Sequence, residues 1–233
     1  MKQALFFLFA LFTLASCNNI TGSGNLITQT RSVGNFDAIS VGGGFEVEVK
    51  TGTVASVVVE ADDNVIKYIE TTVSGNTLKI RTDDFDNYTD VHMKIYVTAL
   101  LLSKISASAS AQVVLTDILT SDNKLTFKAT NSASIKARVN APDVETDASS
   151  SATINLSGKT KTYKTDASSS AVIESFNLLS ENTTAHVSSS ASIQVHASVS
   201  LHAKASSSGS VEYKGAAEVK KTESSSGSIK KID

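Results

Sequence analysis

From residue 103 to the C-terminus, apolar or small residues alternate with polar ones, and the alternation itself repeats about every 19 residues. A pattern Ser-(Ala/Gly)-x-(Val/Ile) occurs seven times, its serine being Ser110, Ser132, Ser151, Ser170, Ser190, Ser208 and Ser226. The branched residue three places on is Val113, Ile135, Ile154, Ile173, Ile193, Val211 or Ile229. When the copies are aligned, the position three before the serine reads Ala107, Ala129, Ala148, Ala167, Val187, Ala205, Glu223, and the position one after it is always Ala or Gly. A period of two marks strands with one buried face. A unit this short cannot bury its own face, so the units are expected to stack and share a core, as solenoids do. Neighbouring coils then lie ~4.8 Å apart, one strand spacing. The small residues around each serine suit a corner. The spacing varies from 18 to 22 residues, and this variation falls after the branched residue, where a loop can absorb it. Serine triplets make poor helix interiors, and helical solenoids have longer periods, so helical repeats do not fit.

Residues 30–105 are less regular. Phe45, Val47 and Val49 alternate, as do Val57 and Val59, Leu78 and Ile80, and the series Val91, Met93, Ile95, Val97. These segments predict strands, with a turn at Ser74-Gly75-Asn76. Residues 62–73 predict one short helix capped by Asp62 or Asp63. The fold class read from these patterns is all-β: a solenoid-like stack of short strands over residues 106–233, with residues 30–105 as an irregular N-terminal β region. That region either caps the open edge of the stack or forms a small β domain; one continuous stack is the preferred reading.

Composition narrows the functions. A net charge of −2, no Trp, and no basic patch with interleaved aromatics argue against nucleic acid as a partner. The N-terminus adds an address. Lys2 followed by an apolar run over residues 4–15 reads as a signal peptide (residues 1–16), too short for a permanent span. Leu14-Ala15-Ser16-Cys17 resembles the bacterial lipobox, in which the cysteine is acylated and becomes the first mature residue. Cys17 is the only cysteine, so no disulfide can form within one chain, and a lipid anchor at Cys17 accounts for it. Residues 17–29, rich in polar residues, read as a tether.

Three sets of residues are candidates for chemistry. The repeat serine and the residue two before it give paired hydroxyls in nearly every copy, including Ser149/Ser151, Ser168/Ser170, Ser188/Ser190 and Ser206/Ser208. On an extended backbone these form a two-column array able to meet glycan hydroxyls or order water; at a turn the same serines bond their own backbone instead. Asp147 and Asp166 share an outward column one coil apart, bracketed by Lys128 and His186, with Lys204 beyond. Stacked acids of this kind could serve a polysaccharide-active enzyme, whereas in the alternative reading they form a surface charge ladder. His92, His186, His196 and His202 lack metal-ligand spacing, and the acidic stretch at residues 83–90 lacks the glycine and terminal glutamate of an EF-hand. No nucleophile elbow or phosphate loop occurs. No cofactor or metal is expected.

Phe36-Asp37-Ala38-Ile39-Ser40-Val41-Gly42-Gly43-Gly44-Phe45-Glu46-Val47-Glu48-Val49, residues 61–66 leading to Leu78-Lys79-Ile80, and the serine repeats together resemble the auto-transporter adhesin head GIN domain family over roughly residues 30–230. The resemblance implies a right-handed β-helix-like fold on an exported, often lipid-anchored protein of the Gram-negative envelope, with an adhesive role and no catalytic residues. The chain departs from the family's Ser-Gly-Ser-Gly-Asp-Ile rungs: Ala or Ser often replaces Gly, and Thr153, Val172, Ser192, Ser210 and Ser228 stand where the Asp would be. The sequence thus predicts a non-enzymatic, adhesin-like protein of the outer membrane, anchored through Cys17, that binds a glycan or protein surface. The alternatives are a polysaccharide-active enzyme using Asp147 and Asp166, or a structural envelope protein that self-associates.

Overall fold

A computed structural model describes residues 18–83 and 86–232. Apart from one 3-10 turn, Ile66–Tyr68, its regular elements are strands, and eighteen of them form a single sheet wound into a β-solenoid. A rung begins with a strand of a first wall, such as Leu125–Ala129, turns sharply, and continues as a strand of a second wall. In the middle of the stack the chain stays extended from one turn to the next, in Ser134–Ala148, Thr153–Ala167 and Val172–Val187. Their parallel ladder runs almost unbroken from Ser134↔Thr153 to Ala148↔Ala167.

The rows of matching side chains expected from the repeat are present. Val113, Ile135, Ile154, Ile173, Ile193, Val211 and Ile229 are successive register partners, all buried. Leu125, Val144, Tyr163, Thr183 and Leu201 form a second buried row on the first wall. Each fully buried branched side chain contributes roughly 1.5–3 kcal/mol. The extra residues of the longer units sit in bulges after the branched residue, between Val114 and Ile118 and again around Phe176.

The interior is not uniformly apolar. Tyr163 is fully enclosed, and its hydroxyl meets Thr146 Oγ1 at 3.0 Å, which in turn donates to Thr165 Oγ1 at 2.8 Å. Burial pushes the Tyr163 phenol up, and hydrogen bonds with Ser175, Thr146 and Thr165 partly oppose that shift. Closed hydroxyl networks of this kind satisfy the polar atoms that a large tyrosine brings inside.

The serines of the repeat form the corner between the walls, and the corner is a reverse turn. Ser150 and Ser151 have φ of 54° and 61°, and the same left-handed pair recurs at 169/170, 189/190, 207/208 and 225/226. The Ala152 N–H donates to the Ser149 carbonyl at 3.2 Å, closing the turn, and the Ser151 N–H donates to the Ser169 carbonyl of the next rung at 3.0 Å. Two consecutive positive φ values define a type I′ turn, whose preferred residues are Asn-Gly. Left-handed backbone costs an ordinary residue roughly 1–2 kcal/mol, and the vertical ladder of turn N–H bonds offsets this in every rung. Replacing Ser150-Ser151 with Asn-Gly should therefore raise stability by about 1 kcal/mol. The check is a higher urea midpoint with an unchanged slope; a lower midpoint would show that the serine side chains themselves hold the turn.

Residues 30–105 belong to the same stack. Ala38–Gly42 lies between Lys104–Ser108 and Thr77–Thr82, and Glu46–Thr51 lies between Gln112–Thr120 and Met93–Ala99. The first rung in sequence is thus second in space. The chain lays it down, moves outward, and returns to place an outermost rung of Thr77–Thr82 and Met93–Ala99. Antiparallel strands close that end: Ser56–Asp62 and Leu26–Arg31 on the second wall, Ile69–Ser74 on the first. No boundary in the core separates residues 30–105 from 106–233, since Ile39 is in register with both Leu78 and Ile105.

Two local expectations are corrected. The helix expected at residues 62–73 is only the 3-10 turn Ile66–Tyr68, without a side-chain cap. Buried Asp62 accepts instead from the Gly24 and His92 N–H groups, each at 2.7 Å, and Asp63 accepts from Ser23 and Asn25, whose bonds hold its carboxyl below the ordinary range. These carboxylates fasten the segment read as a tether to the cap. Asn18–Thr21 pairs with Asp86–Thr89, and Leu26–Arg31 joins the sheet. Cys17 and the signal segment lie outside the described residues.

At the opposite end the last rung, Glu218–Glu223 with Ser228–Lys231, has no further strand paired to it among the described residues. The Lys221 ammonium closes the core there: it lies 5.2 Å from the Tyr213 ring centre and donates to the Ile229 carbonyl at 2.9 Å. Lysines on an edge rung also discourage pairing with further strands.

Candidate binding site along the serine turns

The left-handed turns replace the extended backbone that a flat two-column serine array would need. Ser149, Ser168, Ser188 and Ser206 stand at the end of the first wall, half-buried, while Ser151, Ser170, Ser190 and Ser208 sit exposed on the crest of the turn. The members of each pair therefore face different surroundings. The turn stack still repeats its hydroxyls once per rung, ~4.8 Å apart. Among the described residues, none of the hydroxyls at 149–151, 168–170, 188–190 and 206–208 bonds to a protein group; the turn hydrogen bonds are all backbone to backbone. The serines thus form a ridge of unengaged hydroxyls. Their backbone sets the turn, and their side chains are left to solvent or ligand.

A groove of about 340 Å³ borders this ridge on the first wall, lined by Asp147, Asp166, Ser168, His186, Ser188, Lys204 and Ser206, with Ala167 and Val187 at its base. The structure thereby brings together two sets that the sequence presents separately: the wall-end serines and the outward charged column. Lys128, Asp147, Asp166, His186 and Lys204 are successive register partners. The Lys128 ammonium is 3.2 Å from Asp147, and His186 Nδ1 is 3.2 Å from Asp166, with Lys164 at 3.6 Å on its other oxygen. Each of the two carboxylates thus has an ammonium group within 4 Å, Lys128 for Asp147 and Lys164 for Asp166. Glu145 in the adjacent column is held below the ordinary carboxylate range by Lys124 at 2.7 Å, with Lys164 at 3.8 Å. Pairing at this degree of exposure contributes little stability, ~0–1 kcal/mol per pair. It presents ionised groups at fixed spacing. Lys204 has no anionic partner among the described residues.

Among the described residues no three His, Cys, Asp or Glu side chains converge as a metal site. Of the acidic stretch at 83–90, residues 84 and 85 lie outside the description. Sequence reasoning missed a second recess, about 330 Å³, formed by Asn35, Phe36, Asp37, Asn76 and the exposed Leu100 and Leu101. Its only sequence signal is the pair Leu100-Leu101, two adjacent leucines that break the alternation. No helix among the described residues is long and apolar enough to cross a membrane.

The family model described as "Putative auto-transporter adhesin, head GIN domain" matches residues 35–217. The chain belongs to this family. The match takes in the irregular rungs of residues 38–99 as well as most of the serine repeats, so it is not confined to the regular part of the stack. Among solved structures, a putative adhesin from Bacteroides fragilis NCTC 9343 is similar with a TM-score of 0.85 at 24% identity, covering 91% of this chain and all of that one. A putative lipid binding protein from Parabacteroides distasonis ATCC 8503 gives 0.73 at 22%, and a putative adhesin from Parabacteroides merdae ATCC 43184 gives 0.74 at 17%; each covers 93% of this chain and all of the other. At these identities the likeness establishes the shared fold. Among curated proteins none matches this adhesin-head chain.

Proposed function

We propose that this protein is a non-catalytic, lipid-anchored protein of the outer membrane that binds a surface ligand, adhesin-like, through the serine ridge and the groove beside it. The observation that carries this reading is the row of turn hydroxyls without protein partners on the four rungs from Ser149 to Ser208, next to a groove of fixed charges. Preformed, regularly spaced polar groups on a rigid scaffold bind with little ordering cost. The family's adhesin description and the lipobox-like Leu14-Ala15-Ser16-Cys17 support the placement at the cell envelope. The ammonium groups of Lys128 and Lys164 beside Asp147 and Asp166 support a binding use of these carboxylates.

The test places a bulky side chain in the groove without disturbing the turn. Ser170 and Ser190 are unsuitable because their φ of 61° and 59° would strain a tyrosine. Ser188 has ordinary backbone and lines the groove. Ser188→Tyr should abolish binding to every glycan or cell surface that retains the wild-type protein, with a melting temperature within about 2 °C of wild type. Undiminished binding by a folded Ser188→Tyr variant would overturn the groove as the site. Cys17→Ala should release the protein from the membrane fraction, and retention there would overturn the anchor.

A further inference from the structure

The groove is electrically one-sided, and we infer that its ligand is an acidic glycan, a carboxylated sugar chain whose anionic groups lie toward Lys204 and whose ring hydroxyls meet Asp147, Asp166 and the groove serines. This deepens the groove reading above and rests on it. The charged column divides in two. Toward the cap, Asp147 lies beside the Lys128 ammonium and Asp166 beside the Lys164 ammonium and the His186 ring. Toward the last rung, Lys204 and the neighbouring Lys220 have no anionic partner among the described residues, and His202 lies beside them in register with Lys220. Unpaired ammonium groups therefore begin inside the groove at Lys204 and continue on the same wall to Lys220.

The opposite flank is neutral and hydroxylic, with Ser168, Ser188 and Ser206 one rung apart. A ligand that fits both flanks carries hydroxyls along its length and an anion at intervals. Carboxylates paired to surface cations still accept hydrogen bonds from sugar hydroxyls, and an unpaired ammonium favours a carboxylate through a charge-assisted bond. A purely electrostatic partner such as nucleic acid would use the lysines but not the acids and serines.

The experiment uses the full mature chain and two probes of equal length: a labelled oligogalacturonate and its carboxyl-reduced, neutral counterpart. The expected result is that the uronate binds at least about tenfold more tightly, that its affinity falls as salt is raised, and that Lys204→Gln removes about tenfold of it while leaving the neutral oligomer unaffected. Equal binding of both probes, or an unchanged affinity in Lys204→Gln, overturns the inference. So does equal competition by double-stranded DNA or polyglutamate, which would mean that charge alone is read. Absence of binding by either oligomer also overturns it, and the groove is then judged by Ser188→Tyr in the adhesion assay. If instead the uronate binds and Ser188→Tyr changes nothing, the groove reading itself falls.

Discussion

Gly158→Ala is expected to destabilise the protein by about 3 kcal/mol or more, far beyond a typical surface substitution. Gly158 has φ of +118°, in a region that side chains exclude, and it lies between its register partners Val139 and Leu178. A Cβ there would stand 1.9 Å from the Val139 carbonyl oxygen, with Val139 C at 2.9 Å and N at 3.0 Å, well inside non-bonded contact. The obstacle is backbone held between rungs, so no rotamer change relieves it. Gly34→Ala is the control, because nothing lies within 4 Å of its Cβ position and its φ is ordinary; it should stay within ~0.5 kcal/mol of wild type. Urea unfolding of the two variants decides the matter. A loss below about 1 kcal/mol for Gly158→Ala would mean that the rung can shift sideways at little cost.

Ile173→Ala should cost about 2–5 kcal/mol. The side chain is fully buried between Ile154 and Ile193, and deleting it leaves a void that the rigid ladders on either side cannot close. The effect should also be local. In a stack each rung contacts mainly its neighbours, so lost hydrogen-exchange protection should concentrate in Thr153–Ala167, Val172–Val187 and Ser192–His196 and spare the rung of Ala38–Gly42 and Glu46–Thr51. Uniform loss along the chain would show that the solenoid unfolds as one unit.

Much of this architecture was legible because a solenoid writes its register into its sequence. Ile154, Ile173 and Ile193 could be aligned by counting, and they do lie over one another. The turn was harder to read for a physical reason. Two successive left-handed residues reverse the chain yet keep the parity of the alternation, so Ala167 and Ala171 both face inward with or without a reversal between them. Period two therefore could not distinguish a flat array at Ser168 and Ser170 from a corner. Serine, unlike Asn-Gly, carries no strong turn signature. The order of the outer rungs was also hidden, because Leu78 and Ile39 alternate alike and nothing local says which lies outside. The groove was half legible: the column of Asp147, Asp166, His186 and Lys204 was visible in the spacing, but its meeting with Ser168, Ser188 and Ser206 depends on where the corner falls. Leu100 and Leu101 gave only a break in pattern.

The vertical bonds at the corner, from the Ser151 N–H to the Ser169 carbonyl and from the Ser170 N–H to the Ser189 carbonyl, are alike in every middle layer. Any of those layers can thus dock on any other. Excision or duplication of one unit leaves the seams above and below it chemically equivalent, while the lid and the final tier are untouched. The length of the stack is accordingly free to change in whole steps of ~4.8 Å, and each step removes or adds one increment of exposed corner.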